Sequence, residues 1–197
     1  MTNTVGIMVA LYLLINPTLT AGLQRIAHRL SAAVLSIPDA EAWLYTAILL
    51  LIFTILALPV GFQWRFIELD ILRVSRRTII SIVATAFWLP AVTEELFFRV
   101  LLLPHTSELL SRFELWLWGC ISVLLFIFYH PLNALTFFPR GRQVFFHPVF
   151  LVLAAWLGII CSIAYLQSGS LWTPVVLHWL VVIVWLLLLG GYKKLYG

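Results

Sequence analysis

The sequence predicts an all-α protein, a polytopic transmembrane bundle of about six membrane-embedded helices joined by short interfacial helices. Three observations predict it. Of the 197 residues, 63% are hydrophobic and 10% charged, whereas soluble domains carry about 25% charged residues; a chain this poor in charge cannot clothe a globule in polar surface. The apolar residues fall into runs of about 20, the length that crosses the hydrocarbon core. Nine Trp and six Tyr suit the aromatic belts at the two membrane surfaces.

Taken in order, residues 5–23 form the first apolar segment. Residues 1–4 hold no Lys or Arg and no small-x-small site closes the run, so it reads as retained rather than as a signal peptide. Asn16 and Pro17 break its second half, which leaves a full crossing and a re-entrant or interfacial piece both open. Next, Leu23, Ile26, Ala27, Leu30 and Val34 recur at helical spacing, with Arg25, His28 and Arg29 on other faces. That pattern predicts a short helix lying in the membrane interface. Five further spans are predicted over residues 43–62, 78–103, 115–137, 148–166 and 171–189. No repeat, low-complexity tract or linker interrupts them. The chain reads as a single integral-membrane domain, residues 1–197, with N-terminal helices to residue 77 and a core over 78–189.

Charge placement sets the expected orientation. With the N-terminus inside, the internal segments hold Arg65, Arg73, Arg76, Arg77, Arg140, Arg142, Lys193 and Lys194, and the external ones Arg25, Arg29 and Arg112. The excess places both termini in the cytoplasm of a cell-membrane protein. The net charge of +4 comes from these flanks. No basic stripe or nucleic-acid motif accompanies it, so the expected surroundings are the lipid bilayer and not a nucleic acid. Cys120 and Cys161 lie inside apolar runs without metal-type spacing and read as small buried hydrophobes.

Five ionisable residues stand where charge is expensive. A charge at the centre of a transmembrane helix costs about 2.5–3.5 kcal/mol on insertion scales, so such residues mark relays, pathways or sites. Glu95 and Arg99 are four apart and share a helix face, with acid before base, the favourable order. Glu94 points about 100° away, and its own i+4 neighbour is Phe98. Glu95 is therefore expected to be held by Arg99. Glu94 is left free, as a general base near neutral pH requires. A buried ion pair that only fixes packing is the plainer alternative. His130 and His178 also lie in apolar runs, where an imidazole can orient water, donate to an oxyanion or bind a metal. His28, His105 and His147 stand near Arg, Ser or Pro and read as surface or headgroup contacts.

These residues, in this order, resemble the intramembrane proteases related to CAAX prenyl endopeptidases and bacteriocin-processing enzymes. The E-E-x-x-x-R motif is matched by Glu94, Glu95 and Arg99, and F-x-x-x-H by Phe126 and His130. The third motif places Asn or Asp four residues after a His; His178 matches, but Val182 stands at the later position. Gly169-Ser170-Leu171-Trp172, leading into the last His, is similar as well. The likeness covers residues 78–189.

The resemblance implies hydrolysis of a peptide bond in a membrane protein or a lipidated or peptide substrate. Glu94 and His130 would activate water, His178 would polarise the carbonyl, and Glu95 with Arg99 would support the site. It implies no required cofactor; a zinc ion held by Glu94, His130 and His178 is the alternative, although no H-E-x-x-H accompanies it. Val182 offers no donor, so one oxyanion contact is absent or comes from elsewhere, with Trp179 and Asn133 the nearby polar residues. This leaves a catalytically weak or inactive member, serving as a bacteriocin-immunity or scaffold protein, as a second reading. A transporter or proton relay is a third, disfavoured by the short chain without repeats.

The three elements must meet at one depth. At 1.5 Å per residue, Glu94 would lie about 24 Å from a helix start at Thr78, while a fourth span ending at His130 would leave that histidine at the membrane edge. Agreement requires a third helix starting near Ala84 and a fourth running through Pro131 with a kink.

Overall fold

The computed structural model describes residues 16–197 together with Gly6, Val9 and Tyr12. Most of the first predicted segment, residues 5–15, lies outside the described residues. Eight helices follow: α1 (Pro17–Leu35), α2 (Ala40–Gln63), α3 (Arg76–Leu101), α4 (Arg112–Thr136), α5 (Arg142–Phe145), α6 (Pro148–Ser168), α7 (Trp172–Leu188) and α8 (Gly191–Tyr196). The described residues contain no strand, only an isolated bridge between Asp70 and Leu189. The fold is the predicted all-α bundle.

Local chemistry sets the helix ends. Asp39 accepts from Ala42 N at the start of α2, and Ser75 from Thr78 N at the start of α3; both satisfy otherwise orphaned amides. Ser111 and Glu114 form a reciprocal capping box at α4. Pro148 opens α6 behind the His147 cap. Gly169 ends α6 at φ +66°, a left-handed conformation that favours glycine. Helices α2, α3, α4 and α6 are long and apolar enough to cross a membrane; α7 is apolar but shorter, at 17 residues.

Helix α3 departs from a regular helix. It begins at Arg76 rather than near Ala84, which corrects the start that the depth argument required. It is broken at Leu89 (φ −128°, ψ 98°), just before Pro90, and winds wide over Leu96–Leu101, the turn that follows Thr93–Glu95. A proline that removes an amide, together with the wide turn, accounts for the bend. Helix α4 runs through Pro131 to Thr136, as read.

Helix α6 is the axis of the bundle, packing against α2, α4 and α7. Its Ala154, Gly158, Cys161 and Ala164 are buried, and small residues let helices approach closely where lipid supplies no hydrophobic drive between them. Outward-facing Leu51, Ile55, Trp116, Phe128 and Leu132 are exposed, as a lipid-facing surface requires. Cys161 is buried as expected, but Cys120 faces outward and is not a core residue.

The connections collect at two ends. Asp70 N donates to Leu188 O (3.0 Å), Leu72 N donates to Leu187 O (2.8 Å), and Lys193 pairs with Asp70 (2.7 Å). Phe138 meets Tyr196 with ring centroids 5.7 Å apart. The segments that carry Arg65, Arg73, Arg140, Arg142, Lys193 and Lys194 therefore share one end. At the other, Arg29 pairs with Glu108, and Ser170 Oγ donates to Ser36 O. The basic excess is thus confined to a single end of the bundle.

Candidate active site

Within α3, Glu94 and Glu95 are both buried, yet they face different neighbours. Glu95 Oε2 lies 3.1 Å from Arg99 Nε, the pair the i, i+4 spacing predicts, and both side chains are 0% exposed. The contact is electrostatic rather than a directed hydrogen bond, because neither atom has a hydrogen-bond partner among the described residues. Arg99 instead donates from Nη2 to Gly158 O (3.0 Å) and lays its guanidinium over the Phe126 ring at 4.7 Å. A buried cation is tolerable when carboxylate, carbonyl and aromatic face surround it together.

Glu95 has a second partner that spacing did not suggest: its Oε1 lies 2.6 Å from His178 Nδ1. An ionised carboxylate only accepts, so Nδ1 carries the hydrogen, and His178 presents Nε2 on its other side. That nitrogen is 3.9 Å from Glu94 Oε2. His178 thus bridges the two carboxylates: it is anchored by Glu95 and aimed at Glu94.

His130 is oriented by its own helix. Its Nδ1 donates to Phe126 O at 2.8 Å, which leaves Nε2 as the nitrogen with the lone pair in the neutral ring. Phe126 packs edge-on against both histidines, at 4.8 Å from His130 and 6.0 Å from His178. One ring therefore contacts Arg99, His130 and His178.

Glu94, His130 and His178 line a single cavity of about 960 Å³. Glu95 and Arg99 are absent from its wall and lie in the packed layer behind it. Tyr129, Asn133 and Val182 line it as well, and the walls extend through Phe66, Phe137 and Tyr196 toward the basic end of the bundle. The three residues reach one space because of how α4 is registered against α3: Ser122 Oγ donates to Phe98 O (2.6 Å), and Phe126 packs on Phe98 (5.1 Å). That pairing brings His130, two turns further along, beside the Glu94 region.

Of the two polar neighbours of Val182, Trp179 is committed elsewhere, donating its indole N–H to Val83 O (2.9 Å). Asn133 faces the cavity. Among the described residues no three His, Cys, Asp or Glu side chains are gathered to hold a metal ion, and no step below passes through a metal.

Gly158 belongs to the site and escaped the sequence reading. A Cβ there would lie 3.1 Å from Phe126 Cδ1 and 3.6 Å from Arg99 Nη2. The only signal was a glycine inside an apolar run. His105 was misread: it is buried, with Nε2 at 3.0 Å from Gly169 O and Nδ1 at 2.8 Å from Ser107 Oγ.

Against known families, residues 76–184 match the one described as Type II CAAX prenyl endopeptidase Rce1-like. The chain belongs to this family. No curated protein and no solved structure matches it. Membership makes this Rce1-like chain an integral membrane protein of a CAAX-protease type, in agreement with its four long apolar helices. The match begins at the first residue of α3, so α1 and α2 lie outside it, while α3, α4, α6 and most of α7 carry it.

Proposed function

We propose that this Rce1-like chain is an intramembrane endopeptidase that hydrolyses a peptide bond of a membrane-associated protein or peptide with water activated by Glu94 and His130. The observation that carries this reading is the shared cavity: Glu94, His130 and His178 line it, and the Glu95–Arg99 pair is packed behind. Water donates one hydrogen bond to Glu94 and one to His130 Nε2. Glu94 takes the proton as the water oxygen attacks the carbonyl carbon, and later returns it to the leaving amine. For the developing oxyanion His178 acts in its doubly protonated form, with Nδ1–H held by Glu95 and Nε2–H donated to the oxyanion. The carbonyl and the amine end as acid and free amine, so one water is consumed and no cofactor is required.

The cytoplasm is the side from which the cavity is entered, since its walls reach the basic end and the positive-inside rule assigns that end inward. The C-terminus, which lies at that end, is cytoplasmic in this arrangement. The test is cleavage of a farnesylated CAAX-type peptide by the reconstituted protein, with Glu94→Gln as control. Cleavage lost in Glu94→Gln, with melting temperature retained, supports the reading; equal cleavage by both removes Glu94 from the chemistry.

A second reading rests on Val182. The third family motif expects Asn or Asp there, and an aliphatic wall supplies no donor. A weak or inactive member serving as a bacteriocin-immunity or scaffold protein predicts that Glu94→Gln leaves the cellular phenotype unchanged.

A further inference from the structure

Helices α3 and α7 carry Glu94, Glu95 and His178, and inside the bundle they are joined through Glu95–His178. They are joined a second time, at the end remote from the basic loops, by a helix outside the family match. Arg29 of α1 forms a two-pronged pair with Glu108, Nε–Oε1 at 2.5 Å and Nη2–Oε2 at 2.8 Å, and its Nη1 donates to Leu101 O at 3.1 Å, the last carbonyl of α3. The end of α1 holds the approach to α7 in the same way. Leu171 N donates to Ala33 O (2.9 Å), Trp172 Nε1 to Val34 O (2.9 Å) and Ser170 Oγ to Ser36 O (2.6 Å).

The two attachments are wired to each other. Glu108 Oε1 accepts from His105 N (2.9 Å), and His105 Nε2 donates to Gly169 O (3.0 Å). Ala33, with no exposed surface, packs in one cluster with Ala91, Val100 and Leu103 from the α3 side and Leu171 and Val175 from the α7 side. An apolar helix of average sequence would need neither the forked ion pair nor three of its last carbonyls bonded to one loop.

We propose that α1 is a strap that fixes the spacing of α3 and α7, with Arg29 and Glu108 as positioning residues for the Glu94–His178 geometry. The inference rests on the proteolytic reading for its kinetic consequence but not for its structural one. Arg29 touches neither substrate nor the reacting groups. It holds the end of α3 two residues beyond Arg99, and a shift of α3 against α7 is read directly as a change in the distance from Glu94 to His178. Misplacing reacting groups by about 1 Å costs on the order of 10²-fold in rate.

The experiment uses the full chain in liposomes with spin labels at Phe97 and Val184, both exposed, on a Cys120→Ser background. Arg29→Ala and Glu108→Ala should each broaden the distance distribution between the labels, and the exchanged pair Arg29→Glu with Glu108→Arg, which remakes the ion pair but not the bonds to Leu101 O and His105 N, should narrow it part of the way. With the farnesylated peptide, each single variant should lower kcat at least tenfold with KM within twofold, and the exchanged pair should recover part of that loss. An unchanged label distance in both single variants overturns the strap, and a broadened distance with unchanged kcat overturns the positioning role. A wild-type protein that cleaves nothing rejects the proteolytic reading alone, because the label distances still decide the strap.

Discussion

On one side of α3, Glu95, Arg99 and Gly158 close a dry contact between α3 and α6; on the other, Glu94 borders a cavity with His130, Tyr129 and Asn133. Each side takes one of two consecutive glutamates. What separates them is what each carboxylate faces. Glu95 has a guanidinium and an imidazole within contact distance, while Glu94 has an imidazole at 3.9 Å and open space. The lesson is that a charged pair of residues in a membrane helix divides by register into a support and a reagent.

The division is broken most severely by Glu94→Gln. Cleavage should fall roughly 10²–10⁴-fold, the usual worth of general acid–base catalysis, with the melting temperature unchanged because no hydrogen bond to Glu94 Oε2 is lost. Arg99→Ala tests the other side. Leaving Glu95 buried without its cation should cost about 3–5 kcal/mol, read as a large drop in melting temperature in detergent before any kinetic effect. Val182→Asn sharpens the cavity side by adding a donor near His178: oxyanion donors are worth about 10²–10³ in rate, so a gain up to the lower figure is expected, and no gain would mean Asn133 already fills the role. Gly158→Ala sharpens the dry side. Its Cβ would press on Phe126 at 3.1 Å, and that ring is already boxed in by Arg99, Phe98 and His130, so overpacking of about 1–3 kcal/mol is expected in thermal melts.

The smallest effect concerns pH. The Glu108 carboxyl is held below the usual carboxylate range first by its hydrogen bonds from Arg29, then by the His105 amide, with Arg25 adding attraction and partial burial opposing. A lowered folded-state value contributes stability above the unfolded value, and that contribution is lost as pH falls through the folded one. Acidification below about pH 4, near the ordinary Glu value, should therefore loosen α1 first, seen as faster amide exchange at residues 169–172 while α4 stays protected.

Much of this was legible in the sequence. Runs of about 20 apolar residues fix helices in a membrane because no other open element satisfies its backbone there, and the observed spans follow the predicted ones within a few residues. The Glu95–Arg99 pair was legible because i, i+4 geometry is local. The bond from Glu95 to His178 spans 83 residues and has no local signature. The common depth of the three residues has no local signature either: it depends on the Ser122–Phe98 contact, which sets the register of α4 against α3, and on α3 starting at Arg76 and bending at Leu89. His105 looked like a surface residue because its neighbours in sequence are polar; its actual partner, Gly169, is 64 residues away.

The break at Leu89 before Thr93–Glu95 and the wide turn after it give the site something like a reading frame. Successive residues on a helix differ by about 100°, and Glu94 and Glu95 are chemically the same, so the helix decides by phase alone which one is presented to the cavity. An α-helical turn in place of the wide turn over Leu96–Leu101 holds fewer residues and would rotate one flank against the other. A one-residue deletion within Leu96–Phe98 would therefore not erase a catalytic group. It would move Arg99 out of step with Glu95 and let the two carboxylates exchange parts, a frameshift written in angle rather than in codons.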